Sequence, residues 1–175
     1  SFYIKLIIIL INYKMHKLNN KWVLFFHDPE DNDWSVKSYK KLYEVESIEQ
    51  FWDLFDFIGS KYISNGMFFF MREGIAPVWE DKNNEEGGCW SFKISKKDIY
   101  NSWIELSMAL LGENITNNIK DSKDITGISI SPKKSFSIIK IWNSDSNKNS
   151  NSLISKKIPY IFLNSSIYKS HKSKK

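Results

Sequence analysis

Residues 126–142 read TGISISPKKSFSIIKIW, and the fold is decided there. Residues 126–131 and 136–142 read as a pair of strands. The four residues between them, Pro132-Lys133-Lys134-Ser135, make a hairpin-short connection, so the two strands are antiparallel neighbours. Upstream, Trp90, Phe92 and Ile94 alternate inward along a strand at 89–95, and 67–72 is a short, dense apolar strand. Two further strands, 21–26 and 34–45, flank a polar turn at 27–33 with Asp28-Pro29 and Asp31-Asn32 chemistry, and 159–163 reads as a last strand. Ser47 caps a helix with Gln50 in the capping-box position, Gly59 ends it, and positions 48, 51, 55 and 58 share a face. A second helix spans about 98–111 and stops at Gly112. These elements predict a single-domain α+β fold: a largely antiparallel sheet with helices on one face and the other face free for a ligand slot.

Length and composition bound the function. A chain of 175 residues suits one domain. Cys89 is the only cysteine, which excludes an internal disulfide or a cysteine-based zinc site and fits a reducing compartment such as the cytoplasm. His16, His27 and His171 show no metal-binding spacing, so no metal or cofactor is expected. The net charge of +5 is carried by the ends. Without the two lysines of 1–14 and the four of 169–175, residues 15–168 sum to −1, so any grip on an anion is local. Residues 1–14 read as an extension outside the fold, with Met15 as the start of translation, and the basic tail 169–175 reads as disordered. The apolar run 6–11 is too short to cross a membrane, and no membrane role is expected.

Seven tryptophans point to stacking as the mode of binding. Pro77-Val78-Trp79-Glu80-Asp81 sets an indole beside a carboxylate in the loop 74–88, and Trp34 stands where a loop meets a strand. A cationic planar base such as 7-methylguanine gains most from two such rings, because its charge lies over their negative faces. Glu80 then accepts from the guanine edge, while Lys133 and Lys134 offer point charges to phosphates. Each residue alone also fits a bland reading: a half-buried aromatic, a solvated acid, a solvated turn. Trp90 and Trp103 follow apolar periodicity and read as core, and Trp142 ends a strand where rim contacts are common. Trp52 lies off its helix's apolar stripe and reads as an exposed anchor for a protein partner.

The order His16, Trp22, Trp34, Phe51-Trp52, Trp79-Glu80-Asp81, Gly87-Gly88-Cys89-Trp90, Trp103-Ile104-Glu105, Leu111-Gly112-Glu113, Ile141-Trp142 resembles the eukaryotic translation initiation factor 4E family. The resemblance implies a curved sheet with three helices on its convex face and a slot for the mRNA cap on the concave one. By resemblance Trp34 and Trp79 sandwich the base, Glu80 reads its edge, Trp142 contacts the N7-methyl group, and Lys133 stands at a triphosphate position. It also implies that His16, Ile48, Trp52, Ile104, Glu105 and Met108 receive a helical motif of a 4G-type scaffold or its inhibitory mimics. Capped mRNA and that scaffold are the implied partners of a monomeric, non-enzymatic factor. Cys89 and Ile138 depart from the family, standing where relatives often carry Arg and Lys. Lys17 replaces an expected Pro, and the Ser/Asn-rich region 143–157 shortens the third helix. A cap-binding repressor is the alternative. A carboxylate hydrolase built on Glu80 with Asp81, Glu85 or Glu86 is a third reading, although such catalysis needs separated, differently tuned carboxyls.

Overall fold

A computed structural model describes residues 15–172. The reading of 1–14 as an extension falls outside those residues, as do the last three of the tail. The chain runs β1 (Lys17–His27), β2 (Lys40–Ser47), α1 (Ile48–Asn65), β3 (Met67–Arg72), β4 (Gly88–Ser95), α2 (Ile99–Leu111), α3 (Ile119–Ser122), β5 (Ile125–Pro132), β6 (Phe136–Asn143) and β7 (Ile167–Ser170). The strands form one sheet in the order β2-β1-β3-β5-β6-β4-β7, and every neighbouring pair is antiparallel.

The hairpin at 126–142 sets which side of the sheet does what. Ile128 pairs with Ile141 and Ile130 with Ile139, and all four are buried on the helical side, while Ser129 faces Lys140 on the other. Trp90, Phe92 and Ile94 of β4 and Trp22 and Leu24 of β1 join the same core against Phe51 and Phe55 of α1 and Trp103 and Leu106 of α2. β3 is buried along both faces. Its alternate residues Met67, Phe69 and Met71 form a second, smaller cluster with Cys89 and Trp142 on the concave side. A strand apolar throughout is what a floor between two packed layers requires.

Four expectations change. The strand expected over 34–45 begins only at Lys40; Trp34 precedes a 3-10 turn, Val36–Ser38. Ser47 does cap α1, its hydroxyl accepting from the Gln50 N–H at 3.2 Å. Gly59, expected to end the helix, instead kinks it at φ 70, and the helix resumes to Asn65. A glycine in the left-handed region serves a C-cap and a mid-helix break alike. No strand forms at 159–163: Tyr160 has φ 66, and Ile158 and Ile161, three residues apart, both reach the core, a spacing no strand can supply. The tail expected to be disordered from Lys169 carries the end of β7, and His171 beyond it is buried. Within 143–157 the only helical turn is the 3-10 segment Asn151–Leu153, and the Asn143 side chain holds the turn by donating to the carbonyls of Asp145 and Lys148, each at 2.8 Å.

Candidate functional site

A cavity of about 380 Å³ opens on the concave face. Trp34, Trp79, Glu80, Lys133 and Trp142 line it together, from two loops, a turn and the end of β6. Lys134, the other candidate, is exposed and lies outside the lining. Sequence reading missed Tyr39, Lys140 and His171, which also line it, together with Lys169 from the basic tail expected to be disordered. Of these, Lys140 alone carried a usable signal, since it shares the strand face of Trp142.

Trp34 is half-exposed, and one face of its indole stacks on His27 at 4.3 Å with only 6° between the planes. His27 is fully buried, and its Nε2–H donates to the Asp33 carbonyl at 2.8 Å. A carbonyl only accepts, so the proton sits on Nε2. Nδ1 has no hydrogen-bond partner among the described residues. The ring is therefore a fixed backing plate for Trp34. Tyr39 tilts against the same imidazole at 4.7 Å. Burial, with the Glu80 charge adding to it, pushes the Tyr39 hydroxyl up to about 12, so it stays protonated in the slot.

The loop carrying Trp79 and Glu80 is folded by its own side chains. Asp81 accepts from the Ala76 N–H and the Asn83 N–H, both at 2.8 Å. The side chain of buried Asn84 donates to the carbonyls of Ala76 and Val78 at 3.1 and 2.9 Å, and its backbone carbonyl accepts from His171 Nδ1–H at 2.7 Å. Trp142, at the floor, donates Nε1–H to Ser129 Oγ at 3.0 Å and lies 5.2 Å from the His171 ring. Gly87 and Gly88 let β4 pass between its neighbours here. A Cβ on Gly87 would stand 1.8 Å from the Asn143 carbonyl oxygen, and one on Gly88 2.5 Å from that of Lys169.

A second cavity, of about 220 Å³, lies on the helical side between β1, α1 and α2. Ile48, Trp52 and Met108 line it with Leu18, Phe51 and Leu111. His16 sits where α1 begins: its carbonyl accepts from the Ile48 N–H at 3.0 Å, and its ring meets Glu49 at 2.6 Å. Glu105 and Met108 border a separate hollow with Asn114 and Pro159, and Ile104 packs against the main core.

The slot can stack a flat ring, accept from its edge through Glu80, and attract an anion through lysines. Among the described residues, no three His, Cys, Asp or Glu side chains gather to hold a metal. Fold and slot together define a class: a seven-stranded antiparallel sheet with a cavity on its concave face lined by loop tryptophans. Residues 17–175 match the family described as eukaryotic initiation factor 4E, and the chain belongs to that family. It is 35% identical over 133 residues to the eukaryotic translation initiation factor isoform 4E of Capsicum annuum, covering 73% of this chain and 64% of that protein. The chain thus spans just under two thirds of the length of such relatives. It is 30% identical over 146 residues to factor 4E-1A of Danio rerio, covering 79% and 66%. Among solved structures, Ascaris suum eIF4E-3 with the m7G cap superposes with a TM-score of 0.68 at 27% identity, covering 77% of each chain. C. elegans eIF4E-3 with the 4E-binding protein Mextli and a cap analog gives 0.69 at 26%, covering 77% and 78%.

Proposed function

We propose that this protein binds the 7-methylguanosine cap of mRNA in the concave slot and recruits it to the translation machinery through a scaffold protein on the helical face, as a cytoplasmic, non-enzymatic factor. The observation that carries the reading is the gathering of Trp34, Trp79, Glu80 and Trp142 around one cavity. Family membership and the cap complexes of its structural neighbours support it. Trp34 and Trp79 take the base between them, and the positive charge fixed by N7-methylation strengthens both contacts. Glu80 accepts from the ring N–H and the exocyclic amine, a donor pair that guanine presents and adenine does not. Trp142 closes the floor beneath the methyl group. On the opposite side, the apolar groove at Trp52 takes the apolar face of a partner helix.

The test is a tryptophan-fluorescence titration with 7-methyl-GTP against GTP. Strong quenching by the methylated ligand with little by GTP is the expected result. Equal or absent quenching by both overturns the reading.

A further inference from the structure

The side chain behind Trp34 is a histidine, the one aromatic ring that gains a charge near neutral pH. The His27 ring lies 4.3 Å from the Trp34 indole with 6° between the planes. It covers one face of the indole and leaves the other to the slot that Trp34 lines. A phenyl group there would give the same flat contact. What imidazole adds is a hydrogen bond and a place for a second proton. Nε2–H holds the carbonyl of Asp33, the residue before Trp34. Nδ1 is buried with no hydrogen-bond partner among the described residues. The next proton goes there, and the charge it brings spreads over a ring stacked on Trp34.

Few groups face that ring. On the loop after β1, the Asp33 carboxylate acts on His27 through space, while accepting from the Ser35 N–H and hydroxyl at 2.8 and 3.0 Å. Asp28, next in the chain, is exposed and accepts from the Glu30 N–H. The approach to β2 contributes the Tyr39 ring, whose hydroxyl stays protonated, and β2 itself the exposed Lys40, opposite Phe26. β3 contributes Met67, which pairs with His27 and is uncharged. Glu80, also in the slot lining, acts on Tyr39.

We propose that His27 is a positioning residue that makes the slot's hold on a cationic ring depend on pH: neutral, it presents Trp34 to the base, and protonated, it opposes the base through Trp34. The role rests on the reading of the slot as a cap site and concerns the regulation of that site. An indole attracts a cation through the electron density of its faces. An imidazolium on one face draws on that density and confronts the fixed charge of a 7-methylated base on the other. With the base stacked roughly 4.5 Å beyond the indole, the two charges stand about 9 Å apart. At the effective dielectric of a partly buried site, their repulsion weakens binding roughly tenfold. The same coupling acts in reverse, so a bound cationic base makes His27 harder to protonate.

The experiment titrates the wild type and His27→Phe with 7-methylguanosine between about pH 8 and pH 5.5, following tryptophan fluorescence. Phenylalanine keeps a flat ring behind Trp34 and takes no proton. Titration of the ligand and of other side chains is common to both proteins, so the ratio of their affinities reads His27. That ratio is close to one at the alkaline end and about tenfold in favour of His27→Phe at the acid end. In parallel, NMR of the wild-type His27 ring, assigned through its contacts with Trp34, shows the titration midpoint falling by about one pH unit when 7-methylguanosine saturates the slot. Thermal unfolding checks the variant, and the wild-type NMR titration decides if His27→Phe does not hold the fold. A ratio constant across the range, or a midpoint that the ligand leaves unmoved, overturns the proposal and leaves base recognition standing. A wild type that binds neither 7-methylguanosine nor 7-methyl-GTP at the alkaline end overturns the cap reading, and this one with it.

Discussion

The concave slot is lined by three tryptophans, a carboxylate and three lysines; the groove on the helical side, lined by Leu18, Ile48, Phe51, Trp52, Met108 and Leu111, has no charged side chain. The first suits a ligand that brings its own charges and a flat ring. The second suits an apolar helix face, whose binding is driven by area removed from water. The two linings share no residue, and the sheet with its main core lies between them. Occupants of the two sites therefore act as independent ligands, and mutations in one have additive effects with mutations in the other. Salt weakens binding in the slot and leaves the groove nearly unaffected.

Trp79→Ala and Trp34→Ala test the slot side of that contrast most severely. Each removes one stacking surface worth roughly 1–3 kcal/mol, so 7-methyl-GTP affinity falls about 5- to 150-fold per ring, while an amphipathic helical peptide binds as before. Isothermal titration with both ligands checks this; loss of peptide binding in Trp79→Ala would break the independence. Trp52→Ala is the reciprocal change. As a central exposed indole it is worth about 2 kcal/mol to a docked helix, roughly 30-fold, with nucleotide affinity unchanged.

The smallest effect is a pH dependence at the edge of the groove. Hydrogen bonding from the His16 side chain, the largest of several causes, holds the Glu49 carboxyl down at about 2. A carboxyl lowered in the folded state stabilises the fold above its unfolded value near 4.5, and that contribution is lost as pH falls from there toward 2. Thermal unfolding between pH 6 and 2 should show a shallower decline for Glu49→Gln than for the wild type. Superimposable curves would remove His16 and Glu49 from the account of how α1 is anchored.

Legibility in the sequence followed the range of the interactions involved. β3 matches its expected bounds, Met67–Arg72, because a dense apolar run between a helix end and a loop has one reading. The β5–β6 hairpin was legible from its four-residue connection, Pro132-Lys133-Lys134-Ser135. Gly59 was not, since a kink and a cap demand the same local backbone. β7 was least legible: Ile-Tyr-Lys-Ser has little pattern of its own, and its partner β4 lies far earlier in the chain. In the slot, Trp34, Trp79, Glu80 and Trp142 stood out by residue type. Lysine is common in this chain, so nothing in composition separated Lys140 and Lys169 from the solvated lysines. Only register, with Lys169 opposite Cys89, sets them apart.

The contact from His171 to the Asn84 carbonyl spans 87 residues. Closing so long a loop is slow and comes late in folding. On the ribosome, a chain that has emerged through Trp142 already carries Trp34, Trp79 and Trp142 but not the strand that brings Lys169 and His171. In the finished protein, the four-residue edge strand β7 is the part of the sheet that opens at least cost, and the contact from His171 to the Asn84 backbone carbonyl fastens that last piece of the sheet to the slot's loop.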